Sequence, residues 1–157
     1  MPSVLIETGR QLSTLLEMHD DTADRRELVA EIHDFLAMLD GIKPVFLHGR
    51  GLAPPDWVEQ VLSIARELWL RVIEGPFWDA TAYEGFPEWY AGHCRAELER
   101  YRAWYICKDE AVAESVKIIN EAAGRISMGQ EAQLLGYPEC CVNAHYERAH
   151  RYHRGTL

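Results

Sequence analysis

Apolar residues in this chain recur mostly at helical spacing. Over residues 3–19, Leu5, Leu12, Leu15, Leu16 and Met18 predict a helix, with Gly9 weakening its middle. The run Met18-His19-Asp20-Asp21-Thr22 breaks the pattern. A second helix is predicted over 24–39, where Leu28, Ile32, Phe35, Leu36 and Leu39 share one face and Gly41 suits the position just past the end. The two helices would form an antiparallel hairpin. Lys43-Pro44-Val45-Phe46-Leu47-His48 reads as an edge strand or buried extended segment. Pro54, Pro55 and Asp56 then open a third helix, since proline is tolerated in the first turn. Val58, Val61, Leu62, Ala65, Leu68, Trp69 and Val72 form a stripe that carries this helix to about residue 74 and makes it the central one.

The second half is less regular. Phe77, Trp78, Tyr83, Phe86, Trp89 and Tyr90 crowd a stretch interrupted by Gly85 and Pro87, and a helix is expected from 87 to 100. Residues 101–107 have strand composition and would pair with 43–48. Asp109 can cap a helix over 110–123, with Val112, Val116, Ile119 and Ala123 inward and Gly124 ending it. A short turn over 130–135 leads to Gly136-Tyr137-Pro138 and a last helix over 138–152. The expected fold is therefore mainly α: a compact helical domain spanning 1–157 with a small two-stranded element.

Composition narrows the functional classes. The chain has 157 residues, 48% of them apolar and 26% charged, which is ordinary for one globular domain. A net charge of −9 argues against a nucleic-acid surface, which needs a basic face. No apolar run reaches the roughly 18 residues of a membrane span, and Met1-Pro2-Ser3-Val4 lacks the features of a signal peptide. A cytoplasmic setting is the expectation. There, four cysteines point to free, metal-bound or catalytic thiols before structural disulfides.

The chemistry concentrates in Leu134-Leu135-Gly136-Tyr137-Pro138-Glu139-Cys140-Cys141-Val142-Asn143-Ala144-His145. Two adjacent cysteines follow a turn and fall in the first turn of a helix, whose positive end favours thiolate. At about 100° per residue, Cys141, His145 and Arg148 stack in one row, while Cys140 lies about 100° away. Cys141 and His145 can thus share a proton or a metal ion. Both sulfurs serve one site only at the helix tip. His150 and His153 fall on other faces. The competing reading is two small residues packing a turn, because free cysteine is commonly buried.

Other residues carry weaker signals. His93 stands one turn after Trp89 and one before Glu97, and could complete a site with Cys140, Cys141 and His145; such a Cys2His2 set suits zinc. No CxxC occurs. Cys94 falls on an apolar stripe, and Cys107 alternates into the core at the end of a strand. The aromatic stretch 77–90 could wall a pocket or line the core. His48-Gly49-Arg50-Gly51 has the glycine-rich character of an anion-binding turn but matches no phosphate-loop pattern. His19 and His33 are expected on solvated helix surfaces.

The stretch 104–142 resembles a little-characterised, mostly archaeal family of unknown function. Its members carry a strand ending in Lys-Asp, a helix, and a Leu-Leu-Gly-Tyr-Pro-x-Cys-Cys-Val segment, here Ile106-Cys107-Lys108-Asp109, the helix over 110–123 and Leu134 to Val142. The family often has an aromatic residue shortly after that valine, where His145 and Tyr146 stand here. The resemblance covers about the last third of the chain. It implies a shared cysteine site and no established reaction.

Three functions are compatible with these residues. The first is an enzyme with Cys140 and Cys141 as thiolates, His145 as base or co-ligand, and Tyr137, His93 and Trp89 lining the site. It would carry out sulfur transfer, thiol redox chemistry or metal-assisted conversion of a small molecule, with a small-molecule substrate or a sulfur donor or acceptor protein as partner. The second is a non-catalytic module in which Cys140, Cys141, His145 and His93 hold zinc or iron. The third is an acidic protein-interaction domain whose cysteines only pack. Neither nucleic acid nor membrane is an expected partner.

Overall fold

A computed structural model describes residues 3–19, 25–49, 53–75, 87–89, 91–92, 102–121 and 128–153, without the side chains of 128–129, 145–146 and 149–153. The described part is mainly α with a small antiparallel sheet. Helix α1 is Val4–Glu17, opened by Ser3, whose Oγ accepts from the Ile6 amide at 3.4 Å. It buries Thr8, Leu12 and Leu15 against α2, Arg25–Leu39, whose Leu28, Ile32, Phe35 and Met38 recur at helical spacing. Strand β1, Val45–His48, follows, then α3, Pro55–Glu67, and β2, Arg71–Glu74. Strand β3 is Trp104–Cys107. Helices α4, Glu110–Glu121, α5, Met128–Leu134, and α6, Glu139–His153, follow among the described residues. No described helix is long and apolar enough to cross a membrane.

The sheet has three strands in the order β1-β3-β2, so the last strand in sequence is the middle one in space. In the common register, Phe46, Ile106 and Val72 lie side by side, as do Leu47, Tyr105 and Ile73. Alternation sends Phe46 and Ile106 into a core shared with α1, α2 and α3, built on Leu12, Leu28, Phe35, Trp57 and Leu62. Val45, Tyr105 and Cys107 point the other way, into a second core with Ala113, Val116 and Leu135 of the later helical region. The sheet is thus covered on both faces. Burial on both faces is why β3 reads as Trp-Tyr-Ile-Cys with no polar alternation.

The pairing of 45–48 with 104–107 follows the sequence expectation, but the sheet gains a third strand from residues expected to continue α3. Helix α3 stops at Glu67 because the backbone folds back on itself. The Leu70 amide donates to the Ala65 carbonyl and the Trp69 amide to the Arg66 carbonyl, with Trp69 at φ 57°. Arg71–Glu74 are then free to pair with β3. Val72 and Ile73 serve opposite faces, which one helical stripe cannot do. Trp69, expected in the core stripe, is instead 90% exposed, while Trp57 at the start of α3 is fully buried.

Candidate functional site: an exposed cysteine pair

The cysteine turn is held from two sides. Helix α5 ends with the Gly136 amide donating to the Gln133 carbonyl and the Tyr137 amide to the Ala132 carbonyl. Gly136 adopts φ 74°, which glycine enters without the clash that a Cβ brings. One turn earlier, the hydroxyl of Tyr105 on the central strand donates to Glu131 Oε1 at 2.5 Å and ties α5 to the sheet. On the other side, Lys43 pairs with Asp34 Oδ1 at 2.9 Å and sets its ammonium 5.9 Å from the centroid of the Tyr137 ring. Its stem runs past Gly136. Sequence reasoning passed over Lys43 and Glu131, whose partners lie far away along the chain.

Pro138 closes the turn and starts α6. Its carbonyl accepts from the Cys141 and Val142 amides at 2.9 and 3.2 Å. Glu139, Cys140 and Cys141 are therefore the first three helical residues, as the sequence predicts. Both cysteines are free and exposed, with their sulfurs 4.0 Å apart in a thiol–thiol contact. The competing reading of two sulfurs buried in a turn does not describe them. Tyr137 flanks them and is 45% exposed.

The electrostatics correct one expectation. The positive helix end was expected to lower both thiols, yet Cys141 is pushed above the ordinary thiol range. The hydrogen bond with Cys140 is the main cause, and charge on Cys140 adds to it. Two sulfurs this close do not ionise together: the first negative charge penalises the second. The pair therefore gives up one proton more readily than two.

Three of the remaining expected site residues are not brought to this turn by described geometry. His93 lies outside the described residues, and so does the side chain of His145. Trp89 belongs to the segment 87–89 and is 66% exposed. Cys94 and most of the aromatic stretch 77–90 also lie outside the described residues. Among the described residues, no group of three or more His, Cys, Asp or Glu side chains is arranged to hold a metal ion. Cys107 is buried as expected. Burial, followed by the charge of Asp109, raises its thiol to about 11.

A second polar cluster, buried rather than exposed, was not foreseen. His48 is 0% exposed, with Nδ1 3.0 Å from Glu31 Oε2 and Nε2 3.2 Å from the Val58 carbonyl oxygen. Trp57 Nε1 donates to Glu31 Oε2 at 2.8 Å, and the Gly49 amide donates to Oε1 at 3.3 Å. Burial alone would raise the Glu31 carboxyl. The hydrogen bond and charge of His48, with the donors of Trp57 and Gly49, outweigh it and hold the group below its ordinary value. Both ring nitrogens of His48 face an acceptor, so the ring donates to Glu31 or to Val58 in either tautomer. The Gly49 amide meets an anion, the protein's own Glu31, while Arg50 and Gly51 lie outside the described residues. His19, expected in solvent, is 8% exposed and packs edge-on against Trp57, with Nε2 3.9 Å from Asp56. His33 is exposed as expected.

Comparison of the chain with protein-family models, curated proteins and solved structures returns no match.

Proposed function

We propose that this chain is a thiol-dependent sulfur-transfer enzyme, with Cys140 as the reacting sulfur and Cys141 as its proton-holding neighbour. One observation carries this reading: two free, exposed sulfurs 4.0 Å apart in the first turn of α6. In the proposed step, the Cys140 thiolate attacks the outer sulfur of a donor persulfide. The donor S–S bond breaks, the donor leaves as a thiolate, and Cys140 carries the persulfide. Cys141 donates a hydrogen bond to whichever anion occupies Cys140. Sulfur transfer is favoured over dithiol oxidation because closing a disulfide between adjacent residues would bring the sulfurs from 4.0 Å to about 2 Å. That eight-membered ring would break the first turn of the helix. Tyr137 lies beside the pair, and His145, at helical spacing from Cys141, is the proposed base.

Site-resolved iodoacetamide labelling between pH 6 and 9 tests the assignment. Cys140 should react first, Cys141 later and Cys107 only after unfolding. Cys141→Ala, which removes the donor, should slow Cys140, while Cys141→Ser, whose hydroxyl is the stronger donor, should not. Equal rates at 140 and 141, unchanged when the protein is unfolded in urea, would refute the proposal.

A metal-binding reading has its own supporting observation. With zinc–sulfur bonds of about 2.3 Å, the edge of a tetrahedral site is about 3.8 Å, close to the sulfur separation here. Zinc or iron held by Cys140 and Cys141 would then draw further ligands from His145 and His93. Cobalt(II) titration distinguishes the two: a thiolate-to-metal absorption band lost in both Cys140→Ser and His145→Ala supports the metal site, and its absence removes it.

A further inference from the structure

Among the described residues, three helices end in the same hydrogen-bonded turn, with the residue past the end in the left-handed region. At α2 and α5 that residue is glycine, Gly41 at φ 80° and Gly136 at φ 74°. At α3 it is Trp69, at φ 57° and 90% exposed. A bulky residue there is strained, and its ring contributes almost nothing to the core. Trp69 instead joins Val4, Leu5, Leu39, Leu68, Leu70 and Lys108 in lining an open cavity of about 280 Å³. Leu5, Leu39, Leu68 and Leu70 are only half-buried, so apolar surface faces this space from several elements at once.

We propose that this cavity binds a small apolar carboxylate, its hydrocarbon or aryl part against Trp69 and the leucines and its charge on Lys108. Three observations select that chemistry. The volume is at the small end of the range for ligand pockets, which fits a small acid and not a protein segment. Among the described residues, every lining side chain but one is apolar, and that one is a cation. The Lys108 ammonium spends one hydrogen on the Leu39 carbonyl at 2.8 Å and has two left to offer. Among the described residues, no acidic side chain lines the space to compete for it. The site is separate from the cysteine pair and stands whether or not sulfur transfer does.

The probe is 3-phenylpropanoate, titrated into the full chain and followed by amide chemical shifts and calorimetry, with 3-phenylpropanamide as its uncharged match. Saturable binding is expected, with shifts concentrated at residues 4–5, 39, 68–70 and 108. The amide should bind about tenfold more weakly, and Lys108→Gln, which keeps a donor for Leu39, should erase the difference between acid and amide. Trp69→Gly is the decisive variant. It relieves the left-handed strain and should raise Tm while weakening binding about tenfold or more, so lost affinity cannot be blamed on misfolding. Trp69→Phe should retain most of the affinity. Absence of saturation up to the solubility limit, equal binding of acid and amide, or unchanged affinity in Trp69→Gly would each overturn the proposal.

Discussion

Among the described residues, the buried cluster around Glu31 and the exposed pair at 140–141 are two places where reactive side chains gather, and they are built in opposite ways. Glu31 receives Trp57, His48 and the Gly49 amide, and His48 spends its second nitrogen on Val58. Donors and acceptors are matched within the protein, and three elements, α2, β1 and α3, are pinned together. Cys140 and Cys141 have each other and otherwise face outward on α6, a helix whose described side chains are nearly all exposed. Rich chemistry in a sequence thus marks either an internal clasp or an outward-facing site. What separates them is whether the partners of each group are already supplied by the fold.

The contrast is sharpest at Glu31. Glu31→Ala would leave the His48 ring buried without its carboxylate and should cost about 3–5 kcal/mol in urea unfolding, the range for breaking a buried charged pair. The same group predicts a pH dependence. Its folded-state value lies below the ordinary 4.5, so its contribution is complete above that pH and is lost as pH falls through the folded value. Glu31→Gln should therefore show a shallower loss of stability below pH 4.5 than the parent. Identical acid limbs would remove Glu31 from the account of acid sensitivity.

Cys107 offers a second cut through the comparison, because it is a cysteine with the clasp's environment. Cys107→Ser places a hydroxyl in the second core and should cost about 1–3 kcal/mol. Next in size is Gly136→Ala, which forces a Cβ into the left-handed region and should cost about 1 kcal/mol. Its effect should be local, read as faster amide exchange over 136–142. The smallest effect is expected at the site itself: Cys140→Ser should shift stability by less than about 0.5 kcal/mol while abolishing the fast label. A loss there as large as that of Glu31→Ala would collapse the distinction between clasp and site.

The helices were legible because their inward residues recur locally, as Leu28, Ile32 and Phe35 do on α2. Cys107 was legible for the same reason at strand spacing. Strand β2 was not, because Leu68, Trp69 and Leu70 continue the apolar stripe of α3, and composition rarely marks tryptophan as a left-handed residue. The Glu31–His48 pair was hidden because its members are 17 residues apart and neither repeats with anything. The position of the cysteines at a helix start could be read from Gly136, Tyr137 and Pro138. Their coupling could not, since it depends on a 4.0 Å contact between side chains.

The strand order has a consequence for biogenesis. Residues 45–48 and 71–74 flank a gap that only 104–107 can fill. Until the ribosome has released that stretch, a nascent chain carries two ribbons with open edges and no partner for either, a state prone to sticking to other chains. Shortened versions ending near residue 75 should accumulate as aggregates, and the full-length protein should acquire protease resistance only late in translation.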